Sequence, residues 1–312
     1  MSEFATWSLA DMPDLSGRTV LVTGVTSGIG TPTARELLRA GARVILAARS
    51  ETKLDQTAGE LVAAVPKADT ERLIVDLSDL TSVREAAGRA AAFGPIDVLI
   101  NNAGVMATPY RRTNDGLELQ MATNHFGPFL LTGLLLPQLV ASGDGRIVSV
   151  ASNGHRMARR APLEDPRKAE GRYDRWPTYA RTKLANLLFI AEAQRRLTAA
   201  GLPVKAMAAH PGYASTKLMS TGMAGGETGR RARMSIFDVA MSIASQSADD
   251  GALPTLMAAT ADLAGNTYCG PSNFGQMRGL PRRVGRSALA KDTAAAMRLW
   301  QLSEEIVGLR WP

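Results

Sequence analysis

The stretch VLVTGVTSGIGTPTARELL, residues 20–38, joins a short apolar run to a glycine cluster and the start of a helical pattern. Gly24, Gly28 and Gly30 allow a tight turn, close approach of a ligand to the backbone and close helix–strand packing. The free N–H groups and positive dipole end of the following helix suit a phosphate. No Lys-Ser/Thr pair follows the last glycine, which excludes a nucleoside-triphosphatase loop. Between a first strand and a first helix, the cluster favours a dinucleotide-binding turn over an ordinary glycine-rich turn.

Further short β-branched runs alternate with helical patterns along the chain. Most of these runs are continuously apolar, which is typical of strands covered on both faces. The alternation predicts right-handed βαβ units, so we expect an α/β fold. Its core would be a doubly wound, Rossmann-like parallel sheet of about seven strands in a single domain. The predicted strands span residues 18–24, 42–48, 71–77, 96–104, 146–152, 204–212 and 266–270.

The 312 residues suit one domain of this type, since no linker divides the chain. We predict an N-terminal extension at residues 1–14, the domain at 15–300 and a C-terminal tail at 301–312. A loop at 153–177 is rich in charged residues, and its role is open. A loop at 220–234 is rich in glycine and methionine. It is either a lid over an apolar substrate or an ordinary surface loop.

The composition narrows the class of protein. Apolar residues make up 45% of the chain and charged residues 21%, which is typical of a soluble globular protein. Cys269 is the single cysteine, so an intramolecular disulfide and a cysteine-rich metal site are excluded. The three histidines lack ligand spacing, and we predict no metal site. The net charge of +7 reflects either an arginine-rich surface or attraction for a phosphorylated cofactor.

We expect a cytoplasmic protein. The N-terminus lacks the pattern of a signal peptide, and a reducing compartment suits a lone cysteine. The most apolar window, residues 126–141, contains two prolines and is too short to cross a membrane. No recognised motif accompanies the positive charge, so we expect no nucleic-acid partner.

The end of the second predicted strand bears on the choice of cofactor. An acidic residue there would bond the ribose hydroxyls of NAD. Ala48 and Arg49 occupy this position instead. A guanidinium can bind a 2′-phosphate, and the absent carboxylate removes repulsion. The sequence therefore favours NADP(H) over NAD(H), unless Arg49 is simply a surface arginine.

Tyr179 and Lys183 are four residues apart, which places them on one helix face. A free tyrosine has a pKa of about 10, and a nearby ammonium lowers it. The pair could then exchange a proton with an alcohol or a carbonyl. Ser152 ends a predicted strand, where side chains line the crevice of an open α/β sheet. Its hydroxyl would either hold a substrate oxygen or bond local backbone.

Together these motifs resemble those of the short-chain dehydrogenase/reductase superfamily over roughly residues 15–300. The resemblance rests on T-G-x-x-x-G-x-G at 23–30, N-N-A-G at 101–104, Ser152, Y-x-x-x-K at 179–183 and the Pro-Gly turn at 211–212. Within the superfamily the chain is most similar to the retinol-dehydrogenase-like branch and its bacterial relatives. SNGHR, YARTKLANLLF, HPGYAST and YCGPSNFGQMRGLPRRV carry this narrower likeness. Thr182 stands where relatives often have serine.

The resemblance implies an NADP(H)-dependent oxidoreductase that transfers a hydride between nicotinamide and a carbonyl or alcohol carbon. Tyr179 would be the general acid/base, and Lys183 would lower its pKa and bond the nicotinamide ribose. Ser152 would hold the oxygen of a small-molecule substrate, and Asn124 would support a proton relay through water. The methionines of the loop at 220–234 favour a lipophilic ketone, aldehyde or secondary alcohol as that substrate. The implied cofactor-binding residues are Gly24, Thr26, Ser27, Gly28, Ile29, Gly30, Arg49, Ser50, Asp76, Leu77, Asn102, Ala103, Gly104, Tyr179, Lys183, Pro211, Gly212 and Thr216.

Three alternatives stay open. The chain could bind a dinucleotide as a regulatory or scaffold protein without useful turnover. His155, three residues after Ser152, suggests a hydrolase, but no G-x-S-x-G elbow is present.

The apolar helices at 126–141 and from Tyr179 must be buried all round. They would be covered either in a homo-oligomer or by the chain's own C-terminal segment.

Overall fold

A computed structural model describes residues 6–165, 167, 173–213 and 246–312. One eight-stranded sheet runs through these residues in the order β3-β2-β1-β4-β5-β6-β7-β8. The first seven strands pair in parallel, and β8 runs antiparallel to β7. The strands are β1 Thr19–Thr23, β2 Arg43–Ala48, β3 Asp69–Ile74, β4 Val98–Asn101, β5 Gly145–Val150, β6 Val204–Ala209, β7 Tyr268–Asn273 and β8 Arg278–Arg283.

The predicted doubly wound α/β fold is confirmed, with an eighth strand that the sequence did not indicate. The segment of β8, RGLPRR, has no apolar run. Proline and repeated positive charge are tolerated there because β8 is an edge strand. Two predicted strands are shorter than expected, because β4 ends at Asn101 and β6 ends at Ala209. The motif residues that follow them lie in loops at the carboxyl ends of the strands.

Helices cover both faces of the sheet. Their bounds among the described residues are α1 Gly30–Arg39, α2 Glu51–Ala64, α3 Leu80–Ala90, α4 Leu119–Met121, α5 Gly127–Ala141, α6 Arg175–Ala199, α7 Ala248–Thr260 and α8 Thr293–Val307. A π-helical turn, Ala122–Phe126, joins α4 to α5. Short 3-10 turns lie at Leu9–Asp11, Ala91–Phe93, Asn153–Met157 and Leu289–Lys291. Within the described ranges, no helix combines the length and apolar character that crossing a bilayer requires.

The core lies in two layers, one on each side of the sheet. Successive strand residues point to opposite faces. Leu21 and Ile45 therefore join one buried cluster, whereas Val20, Val22 and Val44 join the other. Burial on both sides is why the strands are continuously apolar.

The face formed by α5 and α6 is covered by the chain's own C-terminal segment. Residue 300, the predicted end of the domain, lies inside α8, which is capped after Val307 by Gly308 with a φ of 63°. Beyond α8, Trp311 packs against Trp300 and Phe129, with ring centres 4.5 and 5.4 Å away. A Cβ on Gly133 would lie 2.8 Å from Trp311, so glycine lets the indole approach α5. Of the two predicted ways to bury these helices, the structure shows the intramolecular one.

The N-terminal segment also packs on the sheet. Trp7 is buried, and its backbone N–H donates to the carbonyl oxygen of Pro281 in β8 at 2.9 Å. This contact covers part of the edge strand, which would otherwise present unpaired backbone groups.

Candidate active site

The glycine turn after β1 brings three segments to near backbone contact. Gly24 has a φ of 72°, and a Cβ there would lie 2.8 Å from Cα of Ala103, just beyond β4. A Cβ on Gly30, the first residue of α1, would lie 2.3 Å from the carbonyl oxygen of Gly24. The turn therefore has room only for glycine at these two positions. Between them, Thr26 is half-buried and Ser27 exposed. The turn thus places the first backbone N–H groups of α1, which have no partner within the helix, at the carboxyl end of β1.

Two side chains hold the N-N-A-G segment beside this turn. The Thr23 hydroxyl accepts the backbone N–H groups of Asn102 and Ala103, each at 3.0 Å. The Asn102 amide donates to the Thr23 carbonyl oxygen at 2.7 Å and to that of Gly24 at 3.3 Å. Thr23 was not among the predicted site residues, although the motif contains it. Its role depends on a partner about eighty positions away in the chain, which the motif alone does not show.

The ends of β2 and β3 form the neighbouring part of the crevice. Arg49 follows β2 with its side chain exposed, and it makes no ion pair with the described residues. Ser50 caps α2 by accepting the N–H of Lys53 at 3.5 Å. The Asp76 carboxylate accepts the N–H and hydroxyl of Ser78 at 2.8 and 2.6 Å, which shapes the turn after β3.

The next residue, Leu77, is buried. Its carbonyl oxygen lies so close to Gly127 that a Cβ on this glycine would be 2.1 Å away. The loop after β3 is thereby packed directly against the first turn of α5.

Tyr179, Lys183 and Ser152 meet at the carboxyl end of β5. Asp174 caps the N-terminus of α6 by accepting the N–H of Trp176 at 3.2 Å, so the helix begins just before the tyrosine. The Ser152 Oγ and a ring carbon of Tyr179 both lie next to Gly154, 3.3 and 3.6 Å from where its Cβ would be. Lys183 is buried, and its Nζ lies 5.7 Å from the centre of the Tyr179 ring. The predicted pairing of a phenol, an amine and a serine hydroxyl is therefore present in space.

Hydrogen bonds to backbone atoms hold the side chains of Ser152 and Lys183 in place. The Ser152 Oγ accepts the N–H of Gly154 at 3.0 Å. The Lys183 Nζ donates to the carbonyl oxygen of Val150 at 2.9 Å, and the amide of Asn186 donates to the same oxygen at 3.2 Å. Asn186 was not predicted. Its position seven residues after Tyr179 puts it on the same helix face, and that spacing is the one signal in the sequence.

Burial dominates the ionisation of both helix residues. Desolvation raises the pKa of Tyr179 to about 12, and the neighbouring Ser152 hydroxyl only partly opposes this rise. Desolvation lowers the pKa of Lys183 to about 8. The pKa of Tyr179 therefore lies above its ordinary value, contrary to the expectation from the spacing. The spacing shows that an amine is near, but it does not show how much water both groups lose.

Asn124 lies in the π-helical turn and links the loop after β4 to α6. Its Oδ1 accepts the N–H of Val105 at 2.7 Å, and its Nδ2 donates to the Val105 carbonyl oxygen at 2.8 Å. Nδ2 also donates to the Thr182 hydroxyl at 3.0 Å. A Cβ on Gly104 would lie 3.1 Å from Asn124 Oδ1 and 3.5 Å from Lys183 Nζ. Motif residues from three parts of the chain thus share one corner of the site.

The Pro-Gly turn after β6 is tied to the hairpin of β7 and β8. Gly212 has a φ of 67°, and a Cβ there would lie 2.3 Å from the carbonyl oxygen of Met277. The Pro211 carbonyl oxygen accepts the amide of Gln246 at 2.5 Å. The predicted carboxamide-binding residue, Thr216, lies outside the described residues, as does the predicted glycine- and methionine-rich loop.

His155 is buried beside Ser152 but does not contact its hydroxyl. The ring Nδ1 lies 2.7 Å from the Ser152 carbonyl oxygen, and Nε2 accepts the N–H of Ser287 at 3.2 Å. A carbonyl only accepts and an amide N–H only donates, so the ring is neutral with its proton on Nδ1. Burial also lowers the pKa of His155. The ring cannot act as a base on Ser152, which argues against the hydrolase alternative.

Comparison with known proteins gives consistent matches. A family model described as short chain dehydrogenase matches residues 18–163. Human retinol dehydrogenase 13 is 35% identical over 300 residues, which cover 96% of this chain and 87% of that protein. Human retinol dehydrogenase 12 is 36% identical over 298 residues, with 95% and 88% covered.

Solved structures agree with this fold. The crystal structure of an uncharacterized protein from Mycobacterium paratuberculosis is 42% identical, covers 99% of this chain and 100% of that chain, and superposes with a TM-score of 0.81. A short chain dehydrogenase from Shigella flexneri, complexed with NADP, is 22% identical. It covers 82% of this chain and 98% of that chain, with a TM-score of 0.62. At that identity the likeness concerns the fold alone.

Proposed function

The chain belongs to the short-chain dehydrogenase/reductase superfamily, in its retinol-dehydrogenase-like branch, and we propose that it is an NADP(H)-dependent oxidoreductase acting on a carbonyl or alcohol carbon. The observation that carries the proposal is the grouping of Tyr179, Ser152 and buried Lys183 at the carboxyl end of β5. A lipophilic ketone, aldehyde or secondary alcohol is the substrate class. The names of the retinol dehydrogenase relatives support it.

The residues present fit a dinucleotide. The close contacts at Gly24 and Gly30 leave no room for side chains in this turn, so its backbone forms a cradle next to the N-terminus of α1. Asn102 and Ala103 complete the wall of this cradle, and Lys183 stands at its catalytic end. When bound, NADPH supplies the hydride that a carbonyl carbon accepts.

The chain's own residues supply orientation and the proton. Because the Ser152 Oγ accepts the N–H of Gly154, its own O–H is directed away from that amide and can donate to a substrate oxygen. The pKa of Tyr179 near 12 keeps its proton in place at neutral pH. The phenol can then act as the general acid that carbonyl reduction requires. Proton transfer from Tyr179 to the carbonyl oxygen would complete the reduction to the alcohol.

Lys183 supplies a positive charge to the site. Its pKa of about 8 leaves the amine mostly protonated at neutral pH. One N–H is used by the Val150 carbonyl oxygen, so two remain for a ribose hydroxyl and for the phenolate that forms on Tyr179.

The first prediction concerns the proton donor. We expect Tyr179→Phe to lower kcat for NADPH-dependent reduction of apolar carbonyls by about a hundredfold or more, because the ring stays while the acid is removed. Cofactor affinity should stay near the parental value. The measurement is NADPH oxidation over a panel of lipophilic ketones and aldehydes.

Tyr110→Phe is the matched control, since it removes the hydroxyl of an exposed tyrosine. Equal NADPH oxidation by the parent and Tyr179→Phe would show that the acid is wrongly assigned. Cofactor binding without turnover over the whole panel would support the regulatory alternative instead.

The second prediction concerns cofactor choice. Arg49 is exposed at the carboxyl end of β2 and is not engaged by an acid among the described residues. We expect Arg49→Asp to weaken NADPH binding by roughly 1.5–3 kcal/mol for each charge-assisted hydrogen bond to the 2′-phosphate that it removes. NADH binding should change little, and calorimetry measures both.

The same charge change at an exposed arginine near the C-terminus, Arg310→Asp, is the control. If the parent protein binds NADH and NADPH equally well, the argument from Arg49 fails.

A further inference from the structure

The turn of the β7–β8 hairpin, residues 274–277, lies against both loops that flank the candidate active site. On one side, the amide of Asn153 donates to the carbonyl oxygen of Gly275 at 3.1 Å, and Asn153 directly follows Ser152. On the other side, the Tyr213 N–H donates to the Met277 carbonyl oxygen at 2.8 Å. The turn therefore stands at the mouth of the site and is held at both ends.

The backbone of this turn is unusual for its residues. Phe274, Gly275 and Gln276 have φ values of 48°, 64° and 69°, so three successive residues are left-handed. Glycine adopts this conformation without cost, and asparagine tolerates it. A bulky aromatic residue there is a true outlier. The backbone conformation of the turn therefore does not explain why position 274 is a phenylalanine.

Packing does not explain it either. The Phe274 side chain is 65% exposed, the largest exposed fraction among the exposed large apolar side chains of the described residues. The guanidinium of Arg278 lies over its ring, 4.3 Å from the centre. Such an exposed contact contributes little beside the burial of an aromatic ring in a core. Phe274 therefore has a strained backbone, and burial of its ring does not offset this strain. Backbone outliers of this kind cluster at ligand sites.

We propose that Phe274 is a specificity-determining residue that receives the apolar part of the substrate. This rests on the proposed function, since Ser152 and Tyr179 would hold the carbonyl end. A ring fixed on a doubly anchored turn offers a large apolar area and loses little freedom on contact. Met157 is 64% exposed and ends the 3-10 turn that starts at Asn153, so a second exposed apolar side chain belongs to the turn that contacts Gly275. The substrate class is a carbonyl compound with an extended apolar chain or ring.

The test is Phe274→Gly, assayed with straight-chain aldehydes from butanal to decanal and NADPH. Glycine accepts the left-handed backbone, so the turn should persist and the Tm should not fall. We expect KM for decanal to rise about tenfold and KM for butanal less than about twofold, since the longer chain offers the ring more apolar area. kcat and the Kd for NADPH should stay parental. Leu280→Ala removes an exposed apolar side chain from β8 of the same hairpin and is the matched control.

Two results overturn the proposal. One is a KM for decanal that is unchanged in Phe274→Gly, or a rise of the same size for both aldehydes. The other is a fall in Tm clearly larger than that of Leu280→Ala, which would make the ring structural.

Failure of the proposed function would be seen separately, as absence of aldehyde reduction by the parent protein. In that case decanal binding to the parent and to Phe274→Gly is compared by calorimetry. Weaker binding by the variant supports the role of Phe274, and equal Kd values refute it.

Discussion

At the scale of single residues, the absence of a side chain is what shapes the proposed cofactor cradle. Gly24 and Gly30 let β1, α1 and the segment after β4 approach so closely that a Cβ would meet backbone atoms. Backbone cannot move aside as a flexible side chain can, so these contacts tolerate no substitution. Other glycines of the same chain stand in open space. Gly59, within α2, has no atom within 4 Å of where a Cβ would lie.

We therefore expect opposite effects from one substitution at two sites. Gly30→Ala should weaken NADPH binding more than tenfold and destabilise the fold by about 1–3 kcal/mol, because its methyl would lie 2.3 Å from a carbonyl oxygen. Gly59→Ala should stabilise the fold by about 0.5–1 kcal/mol and leave binding unchanged. Calorimetric Kd and denaturant unfolding measure the pair. Parental behaviour of Gly30→Ala would contradict the close approach.

At the scale of elements, the π-helical turn between α4 and α5 connects two regions of the molecule. Asn124 points from this turn to Val105 and to Thr182 of α6. The next residue, His125, is buried, and its Nε2 lies 2.8 Å from the Ser303 hydroxyl of α8. π-helical turns occur often at functional sites, where the extra residue redirects side chains. Here two adjacent residues contact different regions: Asn124 the candidate active site and His125 the C-terminal helix α8.

Asn124→Asp tests this element. Aspartate has the same shape but no N–H donors, so the Val105 carbonyl oxygen and the Thr182 hydroxyl would each be left without this donor. We expect a loss of about 1–3 kcal/mol in stability and at least a tenfold fall in kcat. Gln301→Glu, the same chemical change on an exposed residue of α8, should stay within about 0.5 kcal/mol. The link would be disproved by an Asn124→Asp protein with parental kcat and unfolding midpoint.

At the scale of the whole molecule, the C-terminal segment completes the core. Trp300 and Trp311 pack with Phe129 and Phe189 against the α5–α6 face. The Arg196 guanidinium of α6 lies 4.7 Å from the centre of the Trp300 ring. A surface covered in this way is not free to pair with a second copy of the chain. Any homo-oligomer would have to use another face.

Trp311→Ala should therefore act on the whole fold. Removing this buried indole is expected to cost about 3–5 kcal/mol and to uncover the apolar α5–α6 face. We expect a lower Tm and self-association of the variant in size-exclusion chromatography with light scattering. Trp176→Ala removes a tryptophan that is 40% exposed and should lower stability much less. A Trp311→Ala protein with parental Tm and elution would show that the C-terminal segment does not stabilise the core.

Much of the fold could be predicted because it rests on local pattern. Continuous apolar runs indicated strands buried on both faces, and the seven predicted strands coincide with β1 to β7 to within a few residues. The glycine cluster between β1 and α1 indicated the turn, and the four-residue spacing placed Tyr179 and Lys183 on one face of α6. β8 was missed because an edge strand needs no apolar run.

The chemistry of the site depended on contacts that no local pattern shows. The Ser287 amide reaches His155 from 132 positions away, and Thr23 holds a segment 79 positions further on. The pKa of Tyr179 moved opposite to the expectation because the surrounding atoms exclude water. Backbone preference and side-chain periodicity act over a few residues, so they can be read along the chain. Desolvation and hydrogen-bond geometry arise between distant segments, so they exist only once the chain has packed.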